Sequence, residues 1–115
     1  MPDNDAPVRD TLAVMTAASI ENSDLPPREF MIVRLAALAA VDAPATSYAL
    51  NVEAATDAGL TLDDVQDVLV AVAPIIGTSR VVSAAANIAE GLGLVIALAE
   101  AELEAELEAE EDDGV

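Results

Sequence analysis

Residues 51–77, NVEAATDAGLTLDDVQDVLVAVAPIIG, decide the fold because they encode two helices separated by a very short break. Gly59 can adopt the left-handed backbone that ends a helix, and an apolar residue such as Leu60 often follows that cap. Thr61 is suited to cap the next helix, whose first turn carries acids that face its positive end. We therefore predict that the two helices fold back on each other as a central antiparallel hairpin.

The segments around this hairpin also carry helical patterns. Proline at 26 and 27 is typical of a helix start, since proline's missing amide costs nothing there. Together with the hairpin, these patterns predict an all-α fold of about five helices. The predicted helices cover residues 10–22, 28–41, 44–58, 62–76 and 80–98.

The two ends of the chain differ from the helical domain, which we place at residues 10–99. Residues 1–9 are polar with two prolines, and this composition predicts disorder. Residues 100–115 carry nine acids and no base, and form an acidic tail. Glu104 and Glu108 are like charges four residues apart, so we expect the tail to fray at neutral pH.

Cysteine and histidine are both absent from the 115 residues. Their absence excludes disulfides, thiol redox chemistry and every catalytic triad or metal site that needs a thiolate or an imidazole. No glycine-rich phosphate loop is present, and no cofactor is predicted. Asp63, Asp64 and Asp67 lack the spacing of a calcium loop, and we interpret them as helix-dipole partners and solvated surface rather than a metal site.

The formal net charge is −18, and the basic residues are four arginines. Such a surface repels phosphates, so we predict no nucleic-acid partner and no binding to anionic membranes. The N-terminus is polar and acidic, unlike a secretory signal, and no apolar run reaches the roughly 20 residues of a membrane span. We expect a soluble, cytoplasmic protein.

The apolar residues make up 54% of the chain but include one Tyr, one Phe and no Trp. Small side chains cover little area each, so the helices must approach closely or share their faces with neighbouring subunits. We therefore expect a homo-oligomer, with the second, fourth and fifth helices supplying apolar contacts.

Two arginines, Arg34 and Arg80, lie among apolar neighbours. A guanidinium in such a place needs a carboxylate, carbonyl groups or a wet pocket. One interpretation is a salt bridge to Glu53, Asp57 or Glu90. The other is a site that binds the carboxylate of a ligand.

Several short motifs follow one another in a fixed order: LPPR at 25–28, VRLAAL at 33–38, AP at 43–44, SY at 47–48, AGLT at 58–61, DVLVAVAP at 67–74, and Gly77 with RVV at 80–82. Their order and spacing resemble the carboxymuconolactone decarboxylase superfamily, which includes the alkylhydroperoxidase D-like proteins. The resemblance covers about residues 25–98. It implies an all-helical alkylhydroperoxidase D-like domain assembled as trimers, hexamers or larger rings.

The resemblance also locates the catalytic groups of the family, and this chain lacks them. The peroxidase branch uses a CxxC pair, a His one turn later and a Glu on the preceding helix. Those positions fall at about Pro44, Ser47, Asn51 and Met31, so thiol peroxidase activity is excluded. The resemblance implies that the decarboxylase branch also has a His at the Asn51 position and a second His near Ala71. This chain has neither His.

Two functions therefore stay open. The first is a non-catalytic, oligomeric binding or scaffold protein. The second is a cofactor-free lyase or isomerase that acts on a small carboxylated lactone, with an arginine on the carboxylate and Tyr48, Asn51 or Ser47 polarising a carbonyl. A cavity of roughly 300 Å³ or more shared by Arg34, Tyr48 and Asn51 would favour ligand binding. The candidate pocket residues are Met31, Arg34, Ser47, Tyr48, Asn51 and Arg80.

Overall fold

Five α-helices make up the described part of the chain, which is residues 6–113, with side chains up to residue 110. The structure is a computed structural model. Residues 6–113 contain no strand, so the predicted all-α class and helix number are confirmed. The helices are α1 (Pro7–Asn22), α2 (Pro27–Ala40), α3 (Ala45–Asp57), α4 (Leu62–Ile76) and α5 (Thr78–Asp113).

The two ends of the described chain are more helical than the sequence predicts. Helix α1 begins at Pro7, inside the segment 1–9 that we expected to be disordered, because proline suits the first turn of a helix. Residues 1–5 of that segment lie outside the described residues. Helix α5 continues through the acidic segment to Asp113, since alanine, leucine and glutamate are strong helix formers.

The break between α3 and α4 has the predicted local geometry. Gly59 has φ of 85°, and the amides of Gly59 and Leu60 each bond back into the last turn of α3 at 3.0 Å. The Thr61 hydroxyl accepts the Asp64 amide at 3.2 Å, and the Asp64 carboxylate accepts the Thr61 amide at 2.8 Å. This reciprocal capping box starts α4 directly after the turn.

The predicted packing of α3 on α4 is wrong. In the described chain, no Cα atoms of these two helices come within 8 Å of each other, whereas packed helices have axes 8–10 Å apart. Helix α3 packs mainly on α5, and α4 packs mainly on α2. The hairpin is therefore open, and its two arms are held apart by partners from elsewhere in the chain.

The close packing of α3 on α5 depends on a glycine. A Cβ atom added at Gly91 would lie 2.8 Å from the Ala45 carbonyl oxygen and 3.1 Å from the Ala49 nitrogen. Since real Cβ atoms do not approach backbone this closely, only glycine permits the observed distance. Gly93 has nothing within 4 Å of the same position, so it has no such role.

Side chains from the first turns of α5 form hydrogen bonds with the C-terminal end of α2. Asp42 has φ of 56°, a left-handed conformation that is uncommon outside glycine. The Ser83 hydroxyl donates to the Asp42 carboxylate at 2.5 Å, and Arg80 donates through Nη1 to the Ala40 carbonyl oxygen at 2.7 Å. These contacts satisfy a free carbonyl at the negative end of α2 and hold the turn.

The core lies between α2, the start of α3, and the facing sides of α4 and α5. Its central buried residues are Leu35, Ala43, Tyr48 and Val68, with Ile32, Leu38, Val65 and Ile88 packed around them. Helix α1 contributes nothing to it: in the described chain α1 approaches no other helix, and its large apolar side chains are exposed.

Helix α5 differs from the expectation that no segment could span a membrane. Residues Thr78–Glu110 are long and apolar enough to do so, with mean hydropathy of 1.9 in the most apolar window. The core helix of a soluble protein passes the same test, and α5 packs on α2, α3 and α4.

Candidate functional site

A cavity of about 380 Å³ lies between the diverging arms of α3 and α4. Helices α2 and α5 supply its other walls. The space exists because the arms contact α5 and α2 instead of each other. Its apolar lining consists of Met31, Leu35, Leu38, Val52, Ala55, Leu60, Leu62, Val65, Ile88, Leu92 and Ile96, and its polar lining of Arg34, Tyr48, Asn51, Thr56 and Thr61.

Among the described residues, Arg34 is the one charged residue in this lining. Its side chain is half-buried on α2, and the guanidinium carbon lies 4.6 Å from the centroid of the Phe30 ring. A cation over an aromatic face is attracted by the ring quadrupole but keeps its hydrogen-bond donors. Within the described residues Arg34 has no hydrogen bond or ion pair, so the salt bridge considered for it is not made inside one chain.

Tyr48 projects from the first turns of α3 and is 5% exposed. Its hydroxyl is buried with no hydrogen-bond partner among the described residues. Burial raises the pKa of the Tyr48 phenol, and the negative charge of Asp42 raises that pKa further. The phenol is therefore a neutral group at physiological pH, able to donate one hydrogen bond.

Asn51 lies one turn further along α3. Its Nδ2 donates to the Ser47 carbonyl oxygen at 2.8 Å, which fixes the side chain against its own helix. An amide neither gains nor loses a proton near neutral pH, so Asn51 contributes a dipole and hydrogen bonds to the lining but no acid–base chemistry.

The structure brings four of the six candidate pocket residues to one cavity, namely Met31, Arg34, Tyr48 and Asn51. Ser47 and Arg80 do not line it. The Arg80 guanidinium is directed to the end of α2, where it bonds to the Ala40 carbonyl. Ser47 takes part only through its backbone carbonyl, which holds Asn51.

The sequence reasoning missed the rim of the cavity, which is formed by four exposed residues: Thr56, Thr61, Leu62 and Ile96. Thr61 was identified as a helix cap, and it has that role as well. No local signal marks these residues as a rim, because the divergence of α3 and α4 depends on their contacts with α5 and α2.

The acids of the first turn of α4 have structural contacts. Asp64 caps α4 and binds Arg28, with Nη2 to Oδ1 at 2.6 Å and Nη1 to Oδ2 at 3.0 Å. The Arg28 hydrogen bonds and the Thr61 amide hold the pKa of Asp64 well below its usual range. No group of three or more acidic, His or Cys side chains among the described residues is placed to hold a metal ion.

Comparison with known proteins agrees with the motifs and with the helical fold. The model of the carboxymuconolactone decarboxylase family matches residues 7–91, which includes α1 and ends at the glycine that packs against α3. No curated protein and no solved structure matches the chain. The family match extends over most of the sequence, and the chain therefore belongs to the carboxymuconolactone decarboxylase family.

Proposed function

We propose that this chain is a small-molecule-binding member of the carboxymuconolactone decarboxylase family that holds a carboxylate ligand at Arg34 without catalysing its conversion. The observation that carries the proposal is the charge of the cavity. In a chain with a net charge of −18, the described residues that line the cavity include one guanidinium and no carboxylate. An anion placed in the cavity can therefore form charge-assisted hydrogen bonds with the Arg34 guanidinium, whose donors are not used by other described residues.

Binding is favoured over catalysis by the chemistry of the lining. The chain has no His and no Cys, and Tyr48 holds its proton at neutral pH because the ordinary pKa of a phenol is already far above 7 and burial raises the pKa of Tyr48 further. Asn51 and the two threonines do not exchange protons in that range either. The cavity therefore offers a cation and hydrogen-bond donors, but no group that takes and returns a proton near pH 7.

The alternative is a cofactor-free lyase or isomerase acting on a small carboxylated lactone. It is supported by the presence of Arg34 and Tyr48 in one cavity, since a positioned cation and a hydroxyl can stabilise developing charge without proton transfer. Incubation with muconolactone separates the two functions. Binding with no loss of the lactone supports the binding protein, and enzyme-dependent loss of the lactone supports the lyase.

The proposal includes self-association, as a trimer or hexamer. Large apolar side chains are exposed on several faces, including Val33 on α2, Val70 and Ile75 on α4, and Val82 on α5. Helix α1 adds further exposed apolar residues and has no partner helix within residues 6–113. Light scattering at micromolar concentration should give a mass of at least three chains, and a monomer would contradict this part of the proposal.

The test of the ligand site is a thermal shift with small carboxylic acids, muconolactone among them. A stabilising ligand should raise the melting temperature of the native chain and fail to do so for Arg34→Gln. Arg9→Gln is the matched control, because it removes the same charge from exposed α1, far from the cavity lining. Equal shifts in native protein and Arg34→Gln would exclude Arg34 as the carboxylate site.

A further inference from the structure

We infer that the ligand is a monoanion with a compact apolar body, such as a medium-chain carboxylate, and not a molecule with two or more carboxylates. The inference rests on the proposed function, because it takes the cavity and Arg34 as the binding site. It adds the chemical class of the rest of the ligand.

The first argument is the count of charges in the lining. Arg34 can satisfy one carboxylate, and no second cation from the described part of the chain lines the cavity. A second carboxylate would lose its hydration there and gain only neutral donors. One hydrogen of the Asn51 amide is already committed to the Ser47 carbonyl, which reduces what remains for a second anion.

The second argument is the polarity of the walls. Eleven of the sixteen lining residues are aliphatic or Met, and the most buried of the lining, Met31, Leu35 and Tyr48, form an apolar inner wall apart from one hydroxyl. A polar ligand body would leave its groups without partners against this wall. An alkyl or aryl body gains by leaving water.

The third argument is the electrostatic potential produced by the net charge of the whole chain. A net charge of −18 repels anions, and the repulsion grows with the charge of the ligand. A dianion therefore has about twice the repulsion energy of a monoanion in the same potential and finds the same single guanidinium. The chain as a whole selects against highly charged acids before they reach Arg34.

The size of the cavity limits the body. A volume of about 380 Å³ lies near the lower end of the range for small-molecule sites, which suits a compact ligand. The rim includes two exposed apolar side chains, Leu62 at 63% and Ile96 at 56%. These add apolar surface at the mouth that an alkyl chain can cover as it enters.

The experiment is calorimetric titration of the full chain with butanoate, hexanoate, octanoate, octan-1-ol and octanedioate. We expect affinity to rise about fourfold per added methylene from butanoate to octanoate, as apolar surface is buried. Octanedioate should bind at least about tenfold more weakly than octanoate, because its second charge has no partner. Octan-1-ol should bind the native chain more weakly than octanoate does. Because it carries no charge, it should bind Arg34→Gln as tightly as it binds the native chain.

A pair of alanine variants tests the location of the body. Ala55 lines the cavity, whereas its neighbour Ala54 is exposed and lies outside the cavity lining. Ala55→Leu fills the void and should lower octanoate affinity at least about tenfold, while Ala54→Leu should leave it unchanged. Arg34→Gln gives an independent test, because it removes the charge without adding bulk to the walls.

The outcomes separate this inference from the proposed function. If octanedioate binds as tightly as octanoate and depends on Arg34, the carboxylate site stands and the monoanion inference is wrong. If muconolactone, a monoanion with a polar lactone body, binds as tightly as octanoate and depends on Arg34, the carboxylate site stands and the inference of an apolar body is wrong. If affinity does not change with chain length, the inference is also wrong. If no acid binds, or if Arg34→Gln binds octanoate as the native chain does, both the inference and the proposed function fail.

Discussion

Arg28 at the start of α2 and Asp64 in the first turn of α4 are joined by two hydrogen bonds, although 36 residues separate them. The same guanidinium lies 3.3 Å from the Gly59 carbonyl oxygen. Asp64 in turn accepts the Thr61 amide. One ion pair therefore connects α2 to the turn where α3 ends and to the cap where α4 begins.

This ion pair should make stability depend on acid pH. The Arg28 hydrogen bonds, followed by the Thr61 amide, lower the pKa of Asp64 from its ordinary 3.8. Because the folded pKa is the lower one, the contribution is complete above about pH 4 and is lost as the pH falls through the folded value. Urea unfolding of Asp64→Asn should show a lower midpoint at pH 7 and a smaller loss between pH 4 and pH 2.5.

Asp63→Asn is the control for this measurement, since Asp63 lies in the same turn but has no ion pair among the described residues. It should retain the pH dependence of the native chain. If Asp63→Asn and Asp64→Asn lose the same stability at pH 7, the effect comes from the helix dipole and not from Arg28.

The single tyrosine allows a direct optical test of the cavity wall. Since the chain has one Tyr and no Trp, absorbance near 295 nm follows Tyr48 alone. Burial, then the charge of Asp42, raises the pKa of Tyr48 above 10, so its ionisation should occur at higher pH in the folded protein than in urea. The stability linked to this shift is complete below pH 10 and is lost as the pH rises towards the folded value.

Tyr48→Phe should fold and be as stable as the native chain or slightly more stable. The hydroxyl has no partner among the described residues, so its removal relieves a desolvation cost of roughly 1–3 kcal/mol at most. Chemical denaturation measures the change. A loss of more than 2 kcal/mol would reveal a hydrogen bond to this hydroxyl in the protein in solution, for example to water.

Two glycines two residues apart in α5 should respond in opposite ways to alanine. Gly91→Ala places a Cβ 2.8 Å from the Ala45 carbonyl oxygen, which forces α3 away and should destabilise by about 1–3 kcal/mol. Gly93→Ala meets nothing within 4 Å and should stabilise by up to about 1 kcal/mol through helix propensity. Urea unfolding of both variants gives the comparison, and a stable Gly91→Ala would contradict the close approach of α3 to α5.

The acidic end of α5 should become more helical when one of its repelling acids is replaced by a base. Glu100, Glu104 and Glu108 lie four residues apart on α5, and like charges at this spacing are unfavourable. Glu104→Lys converts two repulsions into two attractions, each about 0.3–0.5 kcal/mol. Amide exchange over residues 100–110 should slow in Glu104→Lys and less so in Glu104→Gln, which only removes a charge. Equal exchange in all three would mean that side-chain charge does not control fraying.

Local signals in the sequence predicted the local structure well. The Gly59 cap and the Thr61 capping box follow from residue chemistry within a few positions, and the structure has both. The choice of helix partners could not be predicted in this way. The apolar faces of α3 and α4 indicate burial without specifying what buries them, and the preference of α3 for α5 depends on Gly91, 40 residues downstream of Asn51.

The candidate site was predicted only in part, because its residues can be identified locally but their positions depend on which helices pack together. Arg34 was predicted as a cation among apolar neighbours, Asn51 as the residue at the His position of the family and Tyr48 as a group that could polarise a carbonyl, and all three line one cavity. Arg80 has the same sequence environment but a different role, because the first turns of α5 meet the carbonyl end of α2. Only the three-dimensional arrangement distinguishes a guanidinium beside a void from one at a helix end.

The open arrangement of residues 51–77 also has a consequence for folding. Helix α3 packs mainly on α5, and α4 packs mainly on α2. Because α3 and α4 do not pack on each other, residues 51–77 cannot fold as an independent unit. The contacts that define the cavity join residues far apart in sequence, and such contacts slow folding because loops must close first. A peptide of residues 51–77 should be largely unstructured, and the native chain should unfold in one cooperative transition that removes helix packing and cavity together.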